Sequence, residues 1–258
     1  MNSPGYSKLW RGVVYYAPPV IALVAFGIFW QIYTDVFEVS VFILPSPVRI
    51  FNAGVNLGPA LWVHTWTTLY EILLGFFFGN VAAVILAYAI VRWKLVERLI
   101  YPFLLASQTV PKLAIAPLLV IWFGTGVLPK VLVTALLCFF PTAVNVVQGL
   151  RSADPASIDL VRLVTSSRFV LFQKVQFPSA IPYFFAGLKI SMSSAVIGAI
   201  VAEWVGASRG LGYLILYGGT SMRTDLMFVG VGMTVILGML LYGIVGLLEH
   251  AFSWRRED

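Results

Sequence analysis

The chain has 258 residues, of which 60% are hydrophobic and 11% are charged, and its mean hydropathy is +0.91. Soluble domains average about 45–50% apolar and about 25% charged residues, so this composition excludes a soluble enzyme and a disordered chain. The single cysteine, Cys138, excludes a disulfide scaffold, and we interpret the formal charge of +6 as a sign of membrane topology rather than of nucleic-acid binding.

Six apolar runs are each long enough to cross a hydrocarbon core about 30 Å thick, which takes about 20 helical residues. The sequence therefore predicts an all-α membrane protein with one transmembrane domain over residues 1–258. The first run is too long for the core of a signal peptide, so we expect it to be retained. The predicted spans are residues 12–34, 69–91, 99–123, 128–150, 182–204 and 226–248.

Basic residues are distributed unevenly between the predicted loops. With six spans, eleven of the 17 lysines and arginines fall on the side that holds both termini. Because cytoplasmic loops carry the excess of Lys and Arg, we expect both termini to be cytoplasmic. These eleven are Lys8, Arg11, Arg92, Lys94, Arg98, Arg151, Arg162, Arg168, Lys174, Arg255 and Arg256, whereas the opposite loops hold Arg49, Lys130, Arg209 and Arg223.

Residues 35–68, on the opposite side, are rich in proline and are predicted to lie at the membrane interface rather than to span it. Small residues recur along one face of the fifth span, and we interpret them as sites of close helix packing. They are Gly187, Ser191, Ser194, Gly198 and Ala202, and similar glycines occur in the second span (Gly75, Gly79) and in the sixth (Gly230, Gly232, Gly238, Gly243, Gly246).

The third span contains Pro102, Pro111 and Pro117, each of which removes a backbone donor. A bent or interrupted helix is tolerated at membrane depth only inside protein or along a water-filled cavity, so this span is the first candidate for a translocation pathway. Lys112, beside Pro111, either attracts an anion or pairs with carbonyl groups that the prolines leave free.

Three further polar residues in the spans are candidates for the same pathway. Gln108 and Asn145 either line it or form hydrogen bonds between helices. Glu203 lies near the outer end of the fifth span, where a carboxylate is costly. It is either functional or a structural partner for a backbone donor or for Arg209.

Residues 151–181 are the most polar internal part of the chain. Asp154 and Pro155 have the pattern of a helix start, with Asp as the N-cap and Pro at the first helical position. The helix that follows is predicted to bring Ile158, Val161 and either Val164 or Thr165 together. A second short helix is expected from Arg168 to about Phe177, ended by Pro178, so that the segment forms a knob to which a soluble partner docks.

Residues 151–181, hereafter the coupling segment, resemble the coupling motif of ABC importer permeases, which reads Glu-Ala-Ala, three residues, Gly, nine residues, Ile-x-Leu-Pro. Asp159-Leu160-Val161 stands at the first element, Thr165 at the glycine, and Val175-Gln176-Phe177-Pro178 at the last. The spacings match, and the residue types match in character. At Thr165 either the corner is built differently or Ser166 and Ser167 bond the backbone.

Other stretches resemble the branch of these permeases that takes up nitrate, sulfonates, taurine, bicarbonate or thiamine-precursor pyrimidines, and the likeness covers residues 40–250. This resemblance implies a type I importer permease for a small anion or heterocycle in the bacterial inner membrane. The matching stretches are Leu44–Pro47, Pro111–Leu118 with Trp122–Gly124, Ala202–Trp204 and Gly210–Tyr213.

The resemblance also implies partners. Two copies of the chain would form one pathway, a solute-binding protein would deliver the substrate, and two ATPase subunits would bind ATP and Mg²⁺. None of the six lysines follows a glycine, so a Gly-x-x-x-x-Gly-Lys phosphate loop is missing from the sequence, and we expect no cofactor on this chain. The residues implied to contact the ATPase are Asp159, Leu160, Val161, Arg162, Thr165, Ser167, Arg168 and Pro178.

Two other classes of membrane protein account for some of these features. A proton-coupled secondary carrier would use the intramembrane charges Glu203 and Lys112. The sequence lacks the residues that a membrane-embedded enzyme would need for a nucleophilic or metal site. Its two histidines, His64 and His250, are far apart and have no metal-ligand pattern. We therefore predict a transport subunit without catalytic or metal-binding residues.

Overall fold

The computed structural model describes residues 4–253, with side chains over 17–252, and all the regular structure in this range is helical. Four of the basic residues assigned to the cytoplasmic side have side chains outside these ranges, namely Lys8, Arg11, Arg255 and Arg256. The helices are α1 (Pro4–Val36), α2 (Pro47–Leu57), α3 (Pro59–Arg92), α4 (Lys94–Ala106), α5 (Ala116–Phe123), α6 (Val127–Arg151), α7 (Pro155–Val164), α8 (Arg168–Leu171), α9 (Phe177–Trp204), α10 (Leu211–Thr220) and α11 (Thr224–Ser253).

Five helical stretches in the described range are long and apolar enough to cross a membrane without interruption. They lie in α1, α3, α6, α8 to α9, and α11. The pair Lys94–Thr109 and Lys112–Phe123 is bent by 93° at the break between its halves. It provides a sixth crossing if the two halves together count as one span. The all-α membrane prediction is confirmed, and the predicted span at 99–123 is not one helix.

The break in this pair comes from Pro111. Val110 before it is extended, with ψ of 131°, and the chain re-enters helix through a tight turn at Lys112–Ile115. A residue that precedes proline disfavours the helical region, which explains the position of the break. Pro102 lies inside α4 and Pro117 in the first turn of α5, where a missing donor is tolerated, so neither interrupts its helix.

Helix α3 begins at Pro59, ten residues earlier than the predicted second span, so the expectation of a connecting segment as far as residue 68 is wrong. The first ten residues of α3 include polar side chains, which is why hydropathy alone did not predict a helix there. The hydroxyl of Thr65 donates to the carbonyl oxygen of Leu61, four residues earlier, and the hydroxyl of Thr68 lies 3.3 Å from the carbonyl oxygen of His64. Such bonds let hydroxyl side chains sit inside a helix.

Before α3, the segment Leu44–Pro47 starts α2. The Ser46 hydroxyl caps this helix by accepting from the backbone N–H of Arg49 at 3.4 Å, and Pro47 takes the first turn. Val48, Phe51 and Val55 recur along α2 at helical spacing and are all exposed. An exposed apolar stripe on a short helix is typical of a membrane interface.

The fifth span also begins earlier than predicted, and Pro178 does not end a helix. One turn of wider π-type helix, Phe172–Gln176, follows α8, and the chain runs directly into α9 with Pro178 in its first turn. A wider turn accommodates a proline because it relaxes the hydrogen-bond register just before the residue that cannot donate. The coupling segment is therefore continuous with the fifth span.

Helix α6 forms the centre of the bundle, between α3 and α9. A Cβ atom on Gly187 or on Gly198 would lie 3.1–3.2 Å from the α-carbon of Thr142 or of Thr134 in α6. Gly75 and Gly79 of α3 pack as tightly on α6, whereas Gly232, Gly243 and Gly246 of α11 face open space within the described residues. The packing prediction is confirmed for the fifth and second spans and only partly for the sixth.

A buried polar group joins these three helices. The amide oxygen of Asn80 in α3 accepts from the Thr142 hydroxyl of α6 at 2.5 Å and from the Ser191 hydroxyl of α9 at 3.1 Å. Its amide nitrogen donates to the Phe76 carbonyl, so every polar atom of the Asn80 side chain has a partner. In an apolar medium such bonds fix the register of neighbouring helices.

Candidate functional site

The coupling segment begins with the predicted helix cap. The Asp154 carboxylate accepts from the backbone N–H of Ser157 at 2.9 Å and from the Ser157 hydroxyl at 2.8 Å, and Pro155 occupies the first turn of α7. These hydrogen bonds to Ser157 lower the pKa of Asp154 below its usual value. The cap is therefore retained at neutral pH and is lost as the pH falls through this lowered pKa.

The corner after α7 does not need a glycine. Thr165 is extended, with φ of −150° and ψ of 142°, a conformation that any residue adopts. Its hydroxyl accepts from the backbone N–H of Ser167 at 3.1 Å, and the Ser167 hydroxyl in turn accepts from the backbone N–H of Val170. The corner is thus built differently, and of the two serines expected to bond the backbone only Ser167 does so; the other hydroxyl at the corner is that of Thr165 itself.

Helix α7 turns one apolar face away from the rest of the protein. Ile158, Val161 and Thr165 are half-buried, which is the second of the two predicted groupings. Leu163 and Val164 are 86% and 84% exposed. Apolar side chains at this level of exposure, on a short capped helix, indicate a surface that a partner covers.

The charged residues of α7 are free to bind elsewhere. Asp159 and Arg162 form an ion pair at 3.8 Å, one helical turn apart, and both side chains are mostly exposed. An exposed pair of this kind contributes about 0.3–0.5 kcal/mol, so it does not hold either side chain in place. Leu160 and Arg168 are also exposed, which leaves most of the predicted ATPase contacts on the surface.

The bent pair holds the candidates Gln108, Pro111 and Lys112 at its break. Gln108 and Pro111 are exposed. The ammonium of Lys112 lies 4.8 Å from the centre of the Phe140 ring of α6, which is a cation–π contact. Asn145, about one turn further along α6, donates its side-chain N–H to the Pro141 carbonyl oxygen at 2.8 Å. This hydrogen bond lies within α6 and does not join two helices.

Glu203 lies in a different place and is fully buried. One oxygen accepts from the Thr68 hydroxyl of α3 at 2.6 Å, and the other accepts from the backbone N–H groups of Gly212 and Tyr213 at 2.5 and 3.3 Å. These contacts tie α3, α9 and α10 together. The sequence left two structural partners open for Glu203, a backbone donor or Arg209. The structure pairs it with backbone N–H groups and not with Arg209.

Glycines make room for this carboxylate. Gly210 has φ of +121°, and a Cβ atom there would collide with the Glu203 carboxyl group. Its backbone N–H donates to His64 Nδ1 at 3.0 Å, and the His64 ring stacks on Tyr213. The stretch Gly210–Tyr213 is therefore a cradle for Glu203, and His64 is part of its support.

Sequence reasoning missed a second buried charge pair. The ammonium of Lys130 in α6 lies 2.9 Å from a carboxylate oxygen of Glu71 in α3, and both side chains are buried. Lys130 is counted with an outer loop in the charge distribution although the predicted span 128–150 includes its position, and α6 shows that it belongs to the span. Glu71 lies one helical turn after Thr68, whose hydroxyl binds Glu203, so the ion pair and the Glu203 group lie at the same level of α3. Opposite charges in the second and fourth predicted spans were the available signal.

Within the described residues, the predicted pathway residues fall into two separate regions, one at the bent pair and α6 and one around Glu203. No hydrogen bond or ion pair in this part of the chain joins Glu203 to Gln108, Lys112 or Asn145, so the predicted pathway residues do not form one cluster. No three residues among His, Cys, Asp and Glu in the described range lie close enough together to hold a metal ion.

Comparison with known proteins identifies the family. Residues 79–254 match the model of the family described as "binding-protein-dependent transport system inner membrane component". The chain belongs to this family of ABC transporter permeases, which are multi-pass inner-membrane proteins that work with ATPase and solute-binding subunits. This assignment supports the permease interpretation and not the secondary carrier.

Curated relatives extend over nearly the whole chain. It is 37% identical to a probable ABC transporter permease protein of Haemophilus influenzae, over 92% of this chain and 96% of the relative. It is 34% identical to the formylaminopyrimidine transport permease protein ThiX of Halalkalibacterium halodurans, over 93% and 96%. The riboflavin transport system permease protein RibX of Chloroflexus aurantiacus is 35% identical, over 89% and 87%.

A solved structure supports the fold. A chain from the crystal structure of an amino acid ABC transporter with histidines matches with a TM-score of 0.64 and 16% identity, over 78% of this chain and 98% of that chain. The fold is that of a type I importer permease.

Proposed function

We propose that this chain forms the translocation pathway of an ATP-driven importer and that α7 is its point of contact with the ATPase. The observation that supports this most directly is the capped helix α7, whose residues Leu163 and Val164 are almost fully exposed. Because α8 continues through Phe172–Gln176 into α9, a displacement of the coupling segment acts directly on a membrane-spanning helix.

The subunit arrangement follows from this role. Two copies of the chain line one pathway, each docks on one ATPase subunit, and a solute-binding protein delivers the substrate from the other side. ATP and Mg²⁺ bind to the ATPase subunits, and this chain carries neither cofactor nor catalytic residue. The translocated solute is a small heterocycle or a small anion, which agrees with the named solutes of ThiX and RibX.

The docking proposal is tested by Asp159→Lys and by Arg162→Glu. The tagged chain is co-expressed with its ATPase and purified in mild detergent, and the bound ATPase and its activity are measured. Each variant reverses one exposed charge, so we expect a loss of bound ATPase of at least about tenfold, since hydrogen bonds to charged groups contribute about 1.5–3 kcal/mol.

Lys174→Glu is the matched control, because it reverses an exposed charge in the π-type turn outside α7. It is expected to leave ATPase binding within about twofold. Coupled transport at the normal rate in both Asp159→Lys and Arg162→Glu would remove α7 from the mechanism.

The orientation is tested by cysteine labelling in cells. Cys138 is fully buried and leaves an unreactive background. Ser166→Cys lies in the coupling segment and Thr125→Cys in the turn between α5 and α6, and both positions are exposed. We expect an impermeant maleimide to label Thr125→Cys in intact cells and Ser166→Cys only after permeabilisation. The reverse pattern, with Ser166→Cys labelled in intact cells and Thr125→Cys only after permeabilisation, would contradict the proposed crossing of the bent pair. The same accessibility at both positions would contradict the crossing of α6, which lies between them.

A further inference from the structure

Two cavities adjoin at the end of the bundle that carries the coupling segment. The first, of about 560 Å³, lies between the end of α3 and the coupling segment. The second, of about 440 Å³, lies among α3, α6, α9 and α11. Tyr88 and Phe172 line both cavities, and their rings meet edge to face at 4.8 Å. The two cavities are therefore adjacent and share the wall that these two rings form.

The first cavity is cationic. Arg92, Lys94, Arg162 and Arg168 line it, and no carboxylate does. Within the part of the chain that has described side chains, Arg162 has the exposed ion pair with Asp159, and no carboxylate lies within 4.0 Å of the other three. Four positive charges around one concave surface attract a group with concentrated negative charge.

The second cavity is apolar throughout, apart from the Tyr88 hydroxyl. It follows α9 from Phe177 to Leu188, which is eleven residues and about 16 Å of helix. That length is close to half of a hydrocarbon core about 30 Å thick. The cavity thus has the polarity and depth of an acyl chain in one leaflet, and its other walls include Val84, Ile181, Phe184 and Leu248.

We propose that the two adjacent cavities bind one anionic phospholipid, with its phosphate among the four cations and one acyl chain along α9. Guanidinium groups match phosphate oxygens in geometry and charge. An acidic side chain of a protein partner would satisfy the first cavity and leave the second empty, whereas a phospholipid fills both. Because the coupling segment supplies Arg162 and Arg168, the bound lipid joins this segment to α3.

The test uses the full-length chain purified in mild detergent, with phosphatidylglycerol or phosphatidylcholine of identical dioleoyl chains titrated in. Native mass spectrometry counts the lipids that stay bound. The wild type is expected to retain one phosphatidylglycerol and to prefer it to phosphatidylcholine. Because each basic residue near an anionic headgroup contributes about 1 kcal/mol, the double variant Arg92→Gln/Lys94→Gln is expected to bind phosphatidylglycerol about 30-fold more weakly.

The matched control is Arg98→Gln/Lys174→Gln, which removes two exposed charges that line neither cavity, and it is expected to retain the lipid. Leu248→Trp fills the apolar cavity from its exposed side and is expected to weaken binding of both lipids alike. Equal loss in the two double variants, or no preference for phosphatidylglycerol, would overturn the proposal. So would release of the lipid by the bound ATPase, because the cavity would then belong to the docking contact.

Discussion

Replacing Lys130 by methionine is expected to destabilise the protein by about 3–5 kcal/mol. The substitution keeps the volume of the aliphatic side chain but leaves the buried Glu71 carboxyl without its cationic partner. An uncompensated buried charge is far more costly than the loss of the pair itself, since the pair had already lost its hydration. The thermal unfolding midpoint of the chain in detergent or lipid nanodiscs measures the effect.

The double variant Glu71→Leu/Lys130→Met separates charge from packing. Glu71 Oε2 has no hydrogen-bond donor among the described residues, so the native pair is not fully satisfied. Replacing both members by apolar side chains is therefore expected to restore stability to within about 1 kcal/mol of the wild type. An unchanged unfolding midpoint in Lys130→Met alone would show that the ion pair does not stabilise the bundle.

Replacing Leu163 by aspartate is expected to abolish solute uptake while the chain still folds. The side chain is almost fully exposed, so its loss removes no internal contact. Full burial of a leucine contributes about 1.5–3 kcal/mol, and a carboxylate in the same interface adds a desolvation cost, so ATPase affinity is expected to fall by at least about tenfold. Uptake into cells and ATPase co-purification measure this loss.

Two controls accompany this variant. Leu163→Met keeps an apolar side chain of similar volume and is expected to keep uptake near the wild-type rate. Thr125→Asp adds the same carboxylate at an exposed turn far from the coupling segment and is expected to have no effect on ATPase binding. Normal uptake by Leu163→Asp would mean that the exposed face of α7 is not the docking surface.

The local parts of this structure could be predicted from the sequence because their causes are local. The hydropathy of residues 128–150 places α6 to within one residue at each end. Asp154 and Pro155 start α7 as predicted, because a side-chain cap and a missing donor act within one helical turn. Hydropathy alone could not show that α3 reaches back to Pro59, since its polar residues are satisfied inside the helix.

The parts that escaped prediction depend on contacts between distant residues. Glu71 and Lys130 are 59 positions apart, and only the packing of α3 on α6 makes them partners. The role of Gly210 depends in the same way on the Glu203 carboxyl that occupies the space of its missing side chain. Pro178 was misjudged because a proline ends a regular α-helix, whereas here a wider turn precedes it.

The exposed face of α7 also sets a condition on how the cell makes this protein. A copy that finds no ATPase keeps Leu163 and Val164 in contact with water, side by side on a projecting helix. Surfaces of this kind are what chaperones and proteases recognise, and they promote aggregation. If the ATPase covers this face as proposed, balanced synthesis of the two subunits is expected to limit how many transporters assemble, and excess copies of this chain are expected to be degraded.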